Sequence, residues 1–155
     1  MSENNLTQTS HEDWMRKAIN LATKAMLEDE VPVGAIVVYK GRIIGQGYNQ
    51  CNSLNDSTAH AEMLAITAAS NTIGDWRLND CTMYVTLEPC QMCAGAMYWA
   101  QLSRLVYGAS DPHRGFKVLG TKIHPKTKVT SGVMSKESKL LIDAFFIKKR
   151  KEKQD

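Results

Sequence analysis

Apolar residues recur at Met15, Ala18, Ala22, Ala25 and Met26, a three-and-four spacing that lays them along one stripe of a helix from about residue 12 to 29. Ser10, with Asp13 three positions on, has the form of a capping box that starts it. The period then changes. Val33 to Tyr39 is apolar almost throughout and Ile43 to Tyr48 is mixed, with Lys40-Gly41 between them as a tight turn, so two strands are predicted, the first of them buried. A second helix is expected over about Ala59 to Ser70 with Thr58 near its N-cap, followed by a loop through Gly74-Asp75 and a strand over Thr82 to Leu87. Pro89 suits a first helical position, and Met92 to Ala100 continues that helix with no breaker except Gly95. A strand over Arg104 to Gly108 follows, then a long Gly- and Pro-punctuated loop from Asp111 to Thr127, an edge strand within Lys128 to Val133, and a closing helix from Lys136 to about Arg150. In that last helix Leu140, Leu141, Ala144, Phe145 and Ile147 form the expected apolar surface, while Phe146 and Arg150, four apart, share a second face. Tyr98 and Trp99, by their period, read as core. Strands alternating with helices imply crossover connections and a parallel part to the sheet. The predicted fold class is α/β, a three-layer α/β/α sandwich around a central mixed sheet of about five strands.

Composition adds little to this picture until charge is placed along the chain. The 155 residues are 43% hydrophobic, enough for one buried core. Residues 1 to 111 hold 7 Lys/Arg against 12 Asp/Glu, a net −5, whereas residues 112 to 155 hold 12 against 4, a net +8. Such asymmetry suits a phosphate backbone lying across the C-terminal end; a solvated basic tail is the plainer reading of Lys148 to Lys151, but the loop from Arg114 to Lys128 is basic too. Residues 1–10 read as a disordered polar tail, 11–150 as the domain, and 151–155 as a basic C-terminal tail. Wholly apolar runs such as Ala35 to Val38 are far too short to cross a bilayer, and the N-terminus lacks the basic start and apolar centre of a secretion signal. The expectation is a cytoplasmic protein without a membrane partner. In a reducing compartment Cys51 and Cys81 are expected as free thiols, Cys81 in the core.

Chemistry is concentrated in two short clusters, Thr58-Ala59-His60-Ala61-Glu62 and Glu88-Pro89-Cys90-Gln91-Met92-Cys93. His60, Cys90 and Cys93 supply three zinc ligands, one fewer than the four that close a structural site, so one coordination position stays free for water. Cys90 and Cys93 lie three apart and share one helix face. His60 and Glu62, two apart, would point to opposite faces of a helix and can converge only past its end. Both segments then aim helix N-termini at the ion, which lowers thiol pKa and favours thiolates. Zinc lowers the pKa of bound water from about 15.7 to roughly 7, and Glu62 stands close enough to accept and pass on its proton.

His-x-Glu followed by Pro-Cys-x-x-Cys resembles the signature of the zinc nucleobase deaminases. Within that superfamily the chain resembles the bacterial tRNA-specific adenosine deaminases over about residues 12 to 150, through Glu30-Val31-Pro32-Val33-Gly34-Ala35, Asn55 to Glu62, Tyr84 to Cys90, Met92 to Met97 and Gly108-Ala109-Ser110-Asp111. Ser57 departs from the proline often found there, and the loop Asp111 to Phe116 departs from the family's. The resemblance implies one zinc ion held by His60, Cys90 and Cys93, hydrolysis of adenosine to inosine at the wobble position of a tRNA anticodon, and Glu62 as the proton shuttle. It further implies that Asn49 hydrogen-bonds the base, that Val33 lines the pocket, that the Ala61 amide contacts the ring, and that Asp111 lies at the substrate; from the residues alone, Asn49 equally ends a strand and Val33 equally belongs to the core. Phe146 stacking on a base, with Lys149 and Arg150 on nearby phosphates, would read an unpaired anticodon loop, although Phe146 is equally a core residue. A homodimer is implied, with Tyr98, Trp99, Met92 and Met97 near its contact.

Two other readings use the same residues. A deaminase of free guanine, cytosine or a pyrimidine nucleotide shares all four catalytic positions, and only the basic C-terminal third argues for RNA. A non-catalytic zinc-stabilised RNA-binding subunit has no need of Glu62.

Overall fold

The computed structural model describes residues 10–154; the expected tail of residues 1 to 10 lies, apart from Ser10, outside them. Helix α1 (His11–Leu27) opens on a full capping box, Asp13 N donating to Ser10 Oγ and Ser10 N donating to the Asp13 carboxylate. Strands β1 (Gly34–Tyr39) and β2 (Arg42–Tyr48) form a hairpin whose two turn residues, Lys40 and Gly41, both have positive φ, the conformation that matches strand twist in a two-residue loop. A short helix α2 (Cys51–Leu54), α3 (Ala61–Ile73), β3 (Cys81–Leu87), α4 (Gln91–Ala100), β4 (Arg104–Ala109), β5 (Lys128–Thr130) and α5 (Ser135–Gln154) complete the chain.

The sheet order is β2-β1-β3-β4-β5, antiparallel on one side of β3 and parallel on the other. Alternation along the strands divides the core between two faces. Ile36, Val38, Tyr84 and Val106 pack with Met15 and Ala18 of α1, and α5 lies beside α1 on that same face. Ala35, Val37, Met83, Val85, Leu105 and Tyr107 pack with α3 and α4 on the other. The three-layer α/β/α sandwich is therefore as expected. Helix α3 sits very close to the sheet because glycine faces alanine. Gly45 and Gly47, opposite Val37 and Ala35, lie under Ala61, Ala65 and Ala69; a Cβ on Gly47 would come 2.6 Å from the Ala61 carbonyl.

Several boundaries differ from the sequence reading for local reasons. Helix α3 begins at Ala61 with His60 as its N-cap, not at Ala59 with Thr58, because Asp56 Oδ1 takes both the Thr58 amide and hydroxyl and winds residues 56 to 58 into a turn. Pro89 precedes the N-cap of α4 instead of occupying its first turn, since Cys90 is extended (φ −73°, ψ 174°) and caps it. Helix α5 continues through Gln154, so residues 151 to 154 are helical and not a separate tail. Its inward stripe is Ser138, Leu141, Ile142, Phe145 and Lys149; Leu140 and Ile147, expected on the apolar surface, point outward with Phe146, which is 43% exposed. Trp99, expected in the core, is 74% exposed near the C-terminal end of α4, and the Tyr98 ring beside it meets His124 at a tilt.

Candidate metal centre and active site

One end of the sheet gathers every chemical group. The carboxyl ends of β3 and β4 lie there, and because β1 runs antiparallel to β3 its start lies there too, paired with the end of β2. Ligand sites in open α/β sheets form outside the carboxyl ends of parallel strands, for the same reason that loops and helix N-termini converge there. Val33, Asn49, Cys90 and Asp111 each follow or precede one of these strand ends, and the Asn49 amide donates to the Val33 carbonyl.

His60 and Cys90 hold equivalent positions, each the N-cap of its helix, each with extended backbone and neither using its side chain as a cap. Serine or aspartate there would turn back to the helix amides; imidazole and thiol instead project forward. Cys93, three residues into α4, comes alongside. Both sulfurs lie 3.6 Å from His60 Nδ1. A tetrahedral ion with bonds of about 2.0 Å to nitrogen and about 2.3 Å to sulfur separates those ligand atoms by about 3.5 Å, so the trio has close to the spacing of a zinc edge. Among the described residues it is the one group of His, Cys and acidic side chains that could hold a metal.

Electrostatics favours a cation at this point. The Cys93 thiol and the His60 imidazole both hydrogen-bond to the Cys90 sulfur and hold it down to about 4, whereas Cys93, as donor to that sulfur and buried, is pushed far up. The bond with Cys90 raises His60. Ionising Cys93 as well, this close to the Cys90 thiolate, needs a positive charge between the two sulfurs. Glu62, in the first turn of α3 and 4% exposed, is raised to about 7, chiefly by burial. A carboxyl poised near neutrality both gives and takes protons.

The remaining expected residues fall into two groups. Val33, Asn49, Ala61 and Asp111 flank the metal trio, but the Ala61 amide is already committed: it donates to Asn49 Oδ1 at 2.8 Å. That bond turns the Asn49 carboxamide oxygen toward the first turn of α3. Asp111 Oδ1 accepts the amides of His113 and Arg114, winding the start of the long loop. Phe146, Lys149 and Arg150 lie on α5. Arg150 is exposed, but Lys149 is drawn inward by Asp29, 2.7 Å away just past the end of α1, with Glu152 at 3.4 Å. Two buried acids were not singled out by the sequence reading. Glu30 accepts the amides of Asn52 and Ser53 and so starts α2, directly after Asn49. Glu88 accepts the amides of Asp111 and Lys117. An acid at the end of an apolar strand, immediately before a proline, was the available signal.

Residues 8–109 match the cytidine and deoxycytidylate deaminase zinc-binding region. The chain is 41% identical over 154 residues to the tRNA-specific adenosine deaminase of Bacillus subtilis (strain 168), covering 94% of each chain. It is 43% identical over 152 residues to that of Haemophilus influenzae (strain ATCC 51907 / DSM 11121 / KW20 / Rd), covering 92% of this chain and 87% of the relative. The chain belongs to the tRNA-specific adenosine deaminase family. It is thus an enzyme, and zinc is the metal of its matched domain. A solved structure from studies of A-to-I editing by tRNA:A34 deaminases at the wobble position of transfer RNA superposes with a TM-score of 0.78 at 40% identity, over 83% of this chain and 97% of that one. Guanine deaminase from Bacillus subtilis is 39% identical with a TM-score of 0.63, over 66% of each chain. All four cysteines are free, Cys81 buried and Cys51 half-buried, and no described helix is long and apolar enough to cross a membrane.

Proposed function

We propose that this member of the tRNA-specific adenosine deaminase family converts adenosine to inosine at the wobble position of a tRNA anticodon, with release of ammonia. When bound at His60, Cys90 and Cys93, zinc supplies the Lewis acidity that makes water a nucleophile near neutral pH. Glu62 takes one proton from that water and delivers it to the purine ring nitrogen as the water oxygen bonds carbon 6. The second proton follows the same route to the exocyclic nitrogen, the carbon–nitrogen bond breaks, and ammonia leaves. Asn49, held by the Ala61 amide, donates its own amide hydrogen to the base, and Val33 forms an apolar wall. Asp111 borders the nucleotide from the long loop. Phe146 offers a stacking face, and Arg150 meets phosphate with Lys149 beside it.

The observation that carries this reading is the burial of Glu62 next to a three-ligand cluster in a chain more than 40% identical to tRNA-specific adenosine deaminases over nearly its whole length. The similarity to a guanine deaminase keeps one alternative specific. Anticodon stem-loops bearing a wobble adenosine, with guanine and cytidine in parallel, separate the two when inosine and ammonia are assayed; product from the free bases alone would overturn the RNA assignment.

We further infer a homodimer that covers Trp99 and Tyr98 on α4, and a cytoplasmic enzyme that meets tRNA there. A wild-type protein sedimenting as a monomer at micromolar concentration would remove the dimer.

A further inference from the structure

Glu88 stands between β3 and the Pro89-Cys90 pair, 5% exposed, and no ion pair reaches it among the described residues. Its partners are backbone amides. Oε1 accepts from Asp111 N at 3.1 Å and Oε2 accepts from Lys117 N at 3.0 Å, so one carboxylate ties both ends of the turn that opens the long loop. The middle of the turn also presses on it. A Cβ at Gly115 would meet Oε2 and Cδ of Glu88, and would lie 2.6 Å from the Asp111 carbonyl; the φ of Gly115 is not positive, so glycine is needed there for space and not for dihedral freedom. Two backbone links then join the same turn to the metal-bearing segment: Gly115 bridges Cys90 in antiparallel fashion, and Phe116 N donates to the Pro89 carbonyl at 2.9 Å.

We propose that Glu88 is a positioning residue, whose carboxylate clamps the turn from Asp111 to Lys117 against Cys90 and so sets the distance between the substrate loop and the metal ligands. A carboxylate suits this task because it presents two acceptor oxygens to two separate N–H groups. Glutamine has one carbonyl oxygen, and its NH2 would face the second amide donor to donor. The kinetic part of this inference rests on the proposed function, which puts Asp111 at the substrate; the structural part does not.

The test uses the zinc-loaded wild type, Glu88→Gln, Gly115→Ala and the double variant, with backbone amide exchange, zinc content and steady-state kinetics on the wobble-adenosine stem-loop. In the wild type the Asp111 and Lys117 amides should be protected. Each single variant should retain one zinc per chain, lose protection at those two amides by about tenfold or more, and raise KM by about tenfold with a smaller change in kcat. Because both substitutions break one contact, the double variant should be no worse than the poorer single. Wild-type amides that exchange as freely as an exposed loop would overturn the clamp even if neither variant folds. So would additive effects, or activity lost only in step with zinc and thermal stability. Protected amides in a wild type that leaves the stem-loop unchanged would sink the substrate assignment while the clamp stands.

Discussion

Glu62 owes its expected chemistry chiefly to burial, to which its neighbours add smaller shifts of both signs. Exclusion of water raises its carboxyl to about 7, and the nearby His60 pulls the other way. Glu62→Gln should therefore keep one zinc per chain by atomic absorption and lose deamination by about a hundredfold or more. Cys90→Ala should lose both metal and activity; turnover retained in the Glu62 variant would end its proton-transfer role. A second consequence concerns stability after the metal is removed by chelation. Between pH 4.5, the ordinary value for this side chain, and about 7, the native carboxyl holds a proton that the unfolded chain has released, so its contribution to stability declines as pH rises. Urea denaturation of metal-free wild type and Glu62→Gln should show their difference falling by up to about 3 kcal/mol across that window. A difference that stays flat with pH would contradict the burial argument. The three ligands and this acid were legible because few other roles need one imidazole, one carboxyl and two thiols at such spacings.

At the scale of elements, helix α1 was readable because one face is polar, and its stripe of Met15, Ala18, Ala22 and Ala25 is buried as the period requires. Helix α3 carries apolar residues on more than one side, so its period left its start ambiguous, and the turn made by Asp56 decided it. Its depth on the sheet was invisible in sequence, since it depends on which strand residues come to lie beneath it. Gly47 is the most exposed to test. Its substitution by alanine would drive a Cβ against the Ala61 carbonyl and lift the first turn of α3, the turn that carries Glu62 behind His60. Gly47→Ala should lower stability by about 1–3 kcal/mol in urea and weaken zinc in a chelator competition. Unchanged zinc affinity would show that the ligands do not depend on the seating of α3. In helix α5 hydrophobicity alone points Leu140 and Ile147 inward, whereas Ser138 and Lys149 occupy the inner stripe, one beneath Gly108 and the other paired with Asp29.

For the whole molecule, charge separates into an acidic N-terminal portion and a basic C-terminal one, and the fold decides which basic groups are free to meet RNA. Lys149 is engaged by Asp29 and Glu152, while Arg150 is exposed. Arg150→Ala should weaken stem-loop binding and reduce the slope of log K against log salt by about 1, and Lys149→Ala should change it less. Equal slopes for Arg150→Ala and wild type in a filter-binding titration would remove α5 from the RNA footprint.

What the sequence by itself determined was the inventory: an α/β alternation, a metal trio, one acid, and a basic C-terminal third. These are local properties, fixed by period and by the chemistry of single side chains. Only the tertiary structure decided that His60 and Cys90 are both helix caps facing one point, that Asn49 is spoken for by Ala61, that Lys149 turns inward, and that Glu88 ties a distant turn to Cys90. Each of these joins residues far apart in the chain through a backbone amide, a single close approach or an ion pair, and no periodicity along one strand or helix encodes such a partner.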